Sequence, residues 1–193
     1  PGLCFKPEGN APQEITPTDS LLYDGLTCLL TRKHMGQLME HLIKDFRISR
    51  EKQDQYSLES HQKAVTAWAA GGFLKEVVAV PLAGGRPFIK DERPRKNISK
   101  EILTDFPSAF AKKGTVTAGN SSAPSDGAAC VLLGSSRALK DYDLKACGRI
   151  LGYASIALEP QRVFTAGVAS IRECLKQSGL SLREIDLFEI AEA

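Results

Sequence analysis

Cysteine is scarce and shows no pattern. The five residues Cys4, Cys28, Cys130, Cys147 and Cys174 are an odd set with no Cys-x-x-Cys step. That argues against a disulfide framework, a zinc site and a thioredoxin-like centre. Reduced thiols suit a cytosolic or organellar matrix, and a cytoplasmic protein is expected. Long apolar runs are missing too: none approaches the ~20 residues that a membrane-crossing helix needs. Charge of one sign is lacking, since the formal net charge is only +2, too small to argue for nucleic acid. The opening Pro1-Gly2-Leu3-Cys4-Phe5 is neither a signal peptide nor an amphipathic transit peptide, and a start on Pro1 reads as a fragment or a processed or trimmed chain. No internal repeat and no metal-ligand spacing is found.

What is present is ordinary globular composition, 42% hydrophobic and 25% charged, in a chain of 193 residues that is long enough to bury a sizeable core. Two short basic stretches, Arg32-Lys33-His34 and Arg93-Pro94-Arg95-Lys96, would favour an anionic small molecule, although such clusters are more often a solvated face.

Local signals divide the chain. Residues 7–20, with Pro7, Pro12 and Pro17, read as an extended loop. Met35, Leu38, Met39, Leu42, Ile43 and Phe46 recur at i, i+3, i+4, i+7, i+8 and i+11, which predicts an amphipathic helix. Ser49 is placed to cap a second helix that runs through Tyr56, Ala64 and Trp68 to a stop at Gly71-Gly72. Val77–Val80 reads as a strand, residues 83–99 as a surface excursion, and Ser99 as the cap of a short helix ending before Pro107. The apolar run Ala128–Leu133 suits a fully buried element, and Gly148–Leu158 another strand. Val168, Ile171 and Leu175 mark a helix closed by Gly179, Ser181 and Glu184 form a capping-box pattern, and Leu187–Ile190 reads as a last strand. Strand, helix, strand in the second half predicts a βαβ unit with a parallel sheet. His41 and His61 read as ordinary surface or boundary residues, without carboxylate or cysteine partners at ligand spacing. Glu189 and Glu192 would face opposite sides of a strand and form no acid/base pair.

Four strings carry more: Lys33-His34-Met35-Gly36, Ile48-Ser49-Arg50-Glu51-Lys52-Gln53-Asp54, Gly114-Thr115-Val116-Thr117-Ala118-Gly119-Asn120 and Asp186-Leu187-Phe188-Glu189-Ile190. In this order the chain resembles the thiolase family of acyl-coenzyme A transferases, over nearly its whole length after about residue 17. Thr18-Asp19-Ser20 through Asp24-Gly25-Leu26-Thr27 looks most like the cytosolic acetoacetyl-CoA members. The resemblance implies an α/β fold of thiolase type, layered and only partly represented, with an α-rich loop domain covering the coenzyme A site. Residues 1–120 would be that loop domain, 121–143 the end of the N-terminal core half, and 144–193 the start of the C-terminal core half.

The same resemblance implies binding residues. His34 and Met35 match positions that line the pantetheine and acyl pocket; an imidazole can donate to a carbonyl and a thioether is adaptable. Taken alone, such a histidine is more often a helix cap or an interior residue. Arg95 falls where the family places an arginine near the nucleotide end of coenzyme A, and a guanidinium both stacks on adenine and forks to phosphate. Phe110, Ala118 and Ser122 match further pocket positions. The coenzyme A thioester would be a substrate, and no cofactor or metal is implied.

Departures from the family pattern are equally specific. The family works by a ping-pong route in which one cysteine takes the acyl group and a second moves protons, with a histidine and an asparagine-held water stabilising the oxyanions. The Cys-Ser-Gly, Gly-His-Pro and Cys-Gly-Gly motifs are absent from these 193 residues, and Cys4 lacks the neighbours of the nucleophile. The family's Asn-Glu-Ala reads Ala191-Glu192-Ala193, its Gly-x-Gly-Pro reads Phe164-Thr165-Ala166-Gly167, Ile102 replaces a serine, and Ser122-Ala123-Pro124 replaces a Ser-Gly step. No catalytic residue is therefore assigned. The expected function is a thiolase-type segment for acetyl transfer between coenzyme A thioesters, inactive as this chain alone. The alternatives are a non-catalytic acyl-CoA-binding protein and a structural subunit. The expected partners are an acyl-CoA and another subunit in a homo- or hetero-oligomer, with neither nucleic acid nor a membrane span.

Overall fold

A computed structural model describes residues 3–4 and 17–191. Most of the extended loop expected at 7–20 lies outside the described residues. The chain divides into two compact units, Pro1–Ser121 and Ser122–Ala193.

The first unit is built on a helical hairpin. Helix α1 spans Met35–Phe46 and α2 spans Arg50–Ala69. The apolar stripe of α1 buries Leu38, Leu42 and Ile43, each contributing about 1.5–3 kcal/mol by leaving water. Phe46, last in the stripe, stays exposed. Arg47 ends α1 in the left-handed region at φ 52°, and its N–H donates to the carbonyls of Ile43 and Lys44. Ser49 then starts α2, its hydroxyl accepting from the Lys52 N–H at 3.3 Å. Beyond α2 the chain turns through Gly71 at φ 76°, a conformation that glycine takes without steric cost. Helix α3, Lys100–Thr104, is capped by the Ser99 hydroxyl as its sequence predicts, and buries Leu103. Strand β1 (Leu3–Cys4) pairs antiparallel with β2 (Thr18–Asp19), and a single π-helical turn follows at Leu21–Gly25.

The second unit holds α4 (Ser136–Asp141), a 3₁₀ segment at Pro160–Thr165, α5 (Ala166–Ser178) and a 3₁₀ turn at Leu182–Glu184. Gly179 closes α5 at φ 69°, and Ser181 with Glu184 forms the expected capping box.

The expected strands differ. Val77–Val80, Gly148–Leu158 and Leu187–Ile190 form no ladder among the described residues; Val80 makes an isolated bridge to Phe88. The reason is that a strand exists only through a hydrogen-bonded neighbour. Residues 151–157 still alternate in the period of a strand: Gly152, Ala154 and Ile156 are half-buried, while Leu151, Tyr153, Ser155 and Ala157 are exposed. Gly152 faces α5, where an added Cβ would lie 3.4 Å from the Cys174 carbonyl oxygen. One face of this segment is thus covered and the other is open. The run at 128–133 is not buried as expected; Leu132 is 85% exposed, because no layer of the described residues lies over it.

Candidate functional site

A polar stripe on α2 organises the site. Arg50, Gln53, Asp54, Ser57 and His61 follow i, i+3, i+4, i+7 and i+11, so they share one helical face. Arg50 Nε meets Asp54 Oδ2 at 2.7 Å. Its Nη2 donates to the carbonyls of Leu103 at 2.7 Å and Phe106 at 3.0 Å, satisfying groups at and just past the end of α3. Gln53 donates to Thr115 Oγ1 at 2.9 Å, and Ser57 to the Gly119 carbonyl at 2.7 Å. His61 Nδ1 accepts the Arg95 N–H at 3.2 Å. Three distant loop segments are thereby tied to one helix.

The segment Gly114–Asn120 owes its composition to these contacts. Glu40, 4% exposed, projects from α1 and its Oε1 accepts the N–H groups of Thr115 and Val116, both at 2.8 Å. Gly114 leaves room for that carboxylate; a Cβ there would meet Glu40 Oε1. Thr117 Oγ1 accepts from the Gly119 and Asn120 amides, and Asn120 Oδ1 accepts the Thr117 N–H at 2.8 Å. Asn120 Nδ2 donates to Asp54 Oδ1 at 2.9 Å and to the Thr115 carbonyl at 3.0 Å. Gly119 packs where a Cβ would crowd Leu103 and Phe106 at 2.9 Å. Ala118, between these anchored neighbours, presents an exposed methyl.

His34 and Phe110 form the other half. Their rings stack at 4.7 Å between centroids and 19° between planes. His34 is the N-cap of α1: its backbone N–H donates to Gln37 Oε1 at 3.0 Å, and its Nδ1 accepts the Gly36 N–H at 3.0 Å. That hydrogen bond fixes the tautomer, because an accepting Nδ1 leaves the proton of a neutral imidazole on Nε2. Gly36 is glycine because the Phe110 ring lies against it, where a Cβ would overlap ring atoms. Met35, half-buried, is held by its N–H to the Leu26 carbonyl at 2.8 Å. Phe110 connects the two halves, since Ala109 donates to the Val116 carbonyl at 2.9 Å and Ser108 bridges to Thr117.

Five of the six residues singled out from the sequence therefore lie on one scaffold in the first unit. His34, Met35 and Phe110 gather at the start of α1. Arg95 attaches to α2 at His61, and Ala118 through its neighbour Gly119 at Ser57; the two anchoring residues are one helical turn or about 6 Å apart along the axis. Ser122 opens the second unit and is exposed. Burial, and then the Arg95 cation, hold the His61 imidazole below its usual pKa, which favours the neutral form that accepts a hydrogen bond. No group of metal-ligating side chains and no helix long and apolar enough to cross a membrane is found among the described residues.

Comparison with known proteins decides the family. Residues 9–137 match the thiolase N-terminal domain. The chain belongs to the thiolase family. It is 40% identical over 179 residues to a probable acetyl-CoA acyltransferase of Staphylococcus aureus, covering 91% of this chain and 46% of that protein. Among solved structures it is similar to human mitochondrial 3-ketoacyl-CoA thiolase, with a TM-score of 0.85, 34% identity, and coverage of 96% of this chain and 48% of that one. That enzyme has also been solved in complex with CoA, where the TM-score is 0.84. Similarity to the Bacillus anthracis acetyl-CoA acetyltransferase gives a TM-score of 0.82 at 30% identity over 95% of this chain and 48% of that one. The fold is a partial thiolase-type fold, and the thiolase chain spans about half the length of these relatives.

Sequence reasoning missed Glu40, Asp54 and His61. Glu40 is a polar residue on a helix read for its apolar stripe, and Asp54 entered only as the last residue of the Ile48–Asp54 string. Apart from Arg50, one turn before Asp54, their partners are 66 to 76 residues away.

Proposed function

We propose that this chain is the acyl-CoA-binding segment of a thiolase that transfers acetyl groups between coenzyme A thioesters, acetoacetyl-CoA and acetyl-CoA, and that the 193 residues by themselves do not turn over. The observation that carries the reading is the His34–Phe110 stack, set against Gly36 and beside Met35. It makes a small apolar wall with one ring nitrogen, Nε2, left to donate, which suits a pantetheine amide or a thioester carbonyl. Arg95 and the Ala118 segment, tied to α2 through His61 and Ser57, would extend that wall toward an anionic end, where an exposed guanidinium suits phosphate and adenine. Ser122 would add a hydroxyl to the pantetheine amides. In this reading residues 1–120 form the covering domain, 121–143 and 144–193 contribute to the two core halves, and the coenzyme A thioester is substrate rather than cofactor. A place in cytoplasmic lipid metabolism and an oligomeric assembly belong to it; cysteines 28, 130, 147 and 174, all unpaired, support a reducing compartment.

Catalytic silence rests on chemistry that is missing from these residues. Neither a nucleophile motif nor the histidine and second-cysteine motifs occur, and Ala191 offers a methyl where the family holds a water with an amide. Loss of one oxyanion contact of that kind costs on the order of 10²–10³ in rate. Ala191 also favours the second reading, a non-catalytic acyl-CoA-binding protein or a structural subunit.

Calorimetric titration with coenzyme A is the test. Saturable heat that falls on Arg95→Ala and Phe110→Ala supports the binding reading; a flat titration overturns it and leaves the structural subunit. Thiolysis of acetoacetyl-CoA, followed at the enolate absorbance, should show no turnover, and clear turnover by the purified chain refutes the silence.

A further inference from the structure

Arg95 follows an exposed stretch of chain. Residues 78–93 are exposed throughout, Gly84 and Gly85 both take positive φ, the Val80–Phe88 bridge closes the near end, and the Arg93 N–H donates to Asp91 Oδ1 at 2.9 Å. The far end is tied to α2 by the hydrogen bond from the Arg95 N–H to His61 Nδ1, made across 34 residues. His61 is half-buried on a helix that is itself fixed by the Arg50, Asp54 and Asn120 network, so the acceptor sits on a rigid element.

We propose that His61 is a positioning residue for coenzyme A: by holding the Arg95 amide it fixes where the guanidinium of Arg95 meets the phosphates of the ligand. The inference rests on the binding role given to Arg95 above. A long side chain on a free loop loses conformational freedom when it engages a ligand, and anchoring its backbone beforehand lowers that loss. His61 itself touches no ligand in this account. The charged group facing it from the loop is Arg95, whose cation, together with burial, keeps the imidazole neutral and able to accept.

The experiment is a double-mutant cycle on the full chain, read by coenzyme A titration and by amide exchange at Arg95. His61→Leu should expose the Arg95 amide to exchange and weaken coenzyme A binding by about tenfold, the scale of one hydrogen bond. His61→Asn, whose Oδ1 stands close to the place of Nδ1, should restore most of both and shows that folding is not at issue. In an Arg95→Ala background His61→Leu should cost nothing further, because its effect passes through Arg95. An equal loss in both backgrounds would mean a general structural role and overturns the proposal. So does unchanged binding in His61→Leu when Arg95→Ala weakens it. If Arg95→Ala leaves affinity unchanged, the reading of Arg95 falls first and this inference with it, while the exchange result still reports whether His61 holds the loop.

Discussion

Asn120 Nδ2 donates to Asp54 Oδ1 at 2.9 Å, and the other oxygen of the same carboxylate receives Arg50 at 2.7 Å. Asp54 is only 2% exposed, so both oxygens depend on these partners. Asn120→Ala takes a partner from Asp54 Oδ1 and also from the Thr117 N–H and the Thr115 carbonyl, at a cost of about 1–3 kcal/mol for each group left unsatisfied. Asp54→Ala removes the anion that pairs with the half-buried Arg50 guanidinium and should cost about 3 kcal/mol. Urea unfolding checks both: each midpoint should fall with the slope unchanged. A loss under about 1 kcal/mol in either variant would contradict the network.

Glu40 makes a separable prediction, because one oxygen receives two amides. Glu40→Gln can keep an oxygen in place but loses the charge, whereas Glu40→Ala removes both bonds, each worth about 1.5–3 kcal/mol to a charged acceptor. Thermal melts should rank wild type above Glu40→Gln and Glu40→Gln well above Glu40→Ala. Amide exchange should show Thr115 and Val116 exposed first in the alanine variant.

At Gly36 the constraint is steric. An added methyl would overlap ring atoms of Phe110, including Cγ, which cannot move without the rest of the ring. Gly36→Ala should cost about 1–3 kcal/mol by overpacking and swing Phe110 off His34. Coenzyme A affinity should therefore fall with it, and Gly36→Ala combined with Phe110→Ala should recover stability without recovering binding. Full binding by Gly36→Ala alone would remove the stacked pair from the site.

The pH behaviour of the Arg95 anchor has a definite sign. The folded pKa of His61 is lowered, so its contribution is present above the ordinary histidine value of 6.5 and is lost as pH falls through the folded value. Histidine titration by NMR should find His61 below 6.5, and Arg95→Ala should move it part of the way back. A value at or above 6.5 in the wild type would refute the assignment.

Local chemistry was legible in the sequence, and long-range chemistry was not. Ser49, Ser99 and the Ser181–Glu184 pair each cap the helix or turn that follows, since a cap needs only residues three positions on. The limits of α1 follow from its stripe for the same reason. The segment 148–158 finds no hydrogen-bonded neighbour among the described residues, in a chain that spans under half the length of its relatives. Its pattern survives only as alternating burial. The site shows the same division. The His34-Met35-Gly36 and Gly114–Asn120 strings could be recognised as wholes. The stripe Arg50, Gln53, Asp54, Ser57 and His61 has the spacing of an amphipathic face, but its residues are polar and its partners are loops far along the chain. A search for apolar periodicity passes over it.

That open face of the second unit leads to the last prediction. Tyr153 is 83% exposed, Leu187 82% and Leu132 85%, and Leu151 and Ile190 are exposed as well. Apolar side chains presented on an extended segment with unpaired backbone groups are an invitation to edge pairing. The isolated chain should therefore self-associate at micromolar concentration and bind a hydrophobic dye strongly, as judged by sedimentation velocity and fluorescence. Tyr153→Lys with Leu151→Lys should reduce both, because charge on the uncovered positions opposes pairing while the half-buried Gly152, Ala154 and Ile156 are left unchanged. A monodisperse, cooperatively melting wild-type monomer with little dye binding would show that this surface is covered in solution.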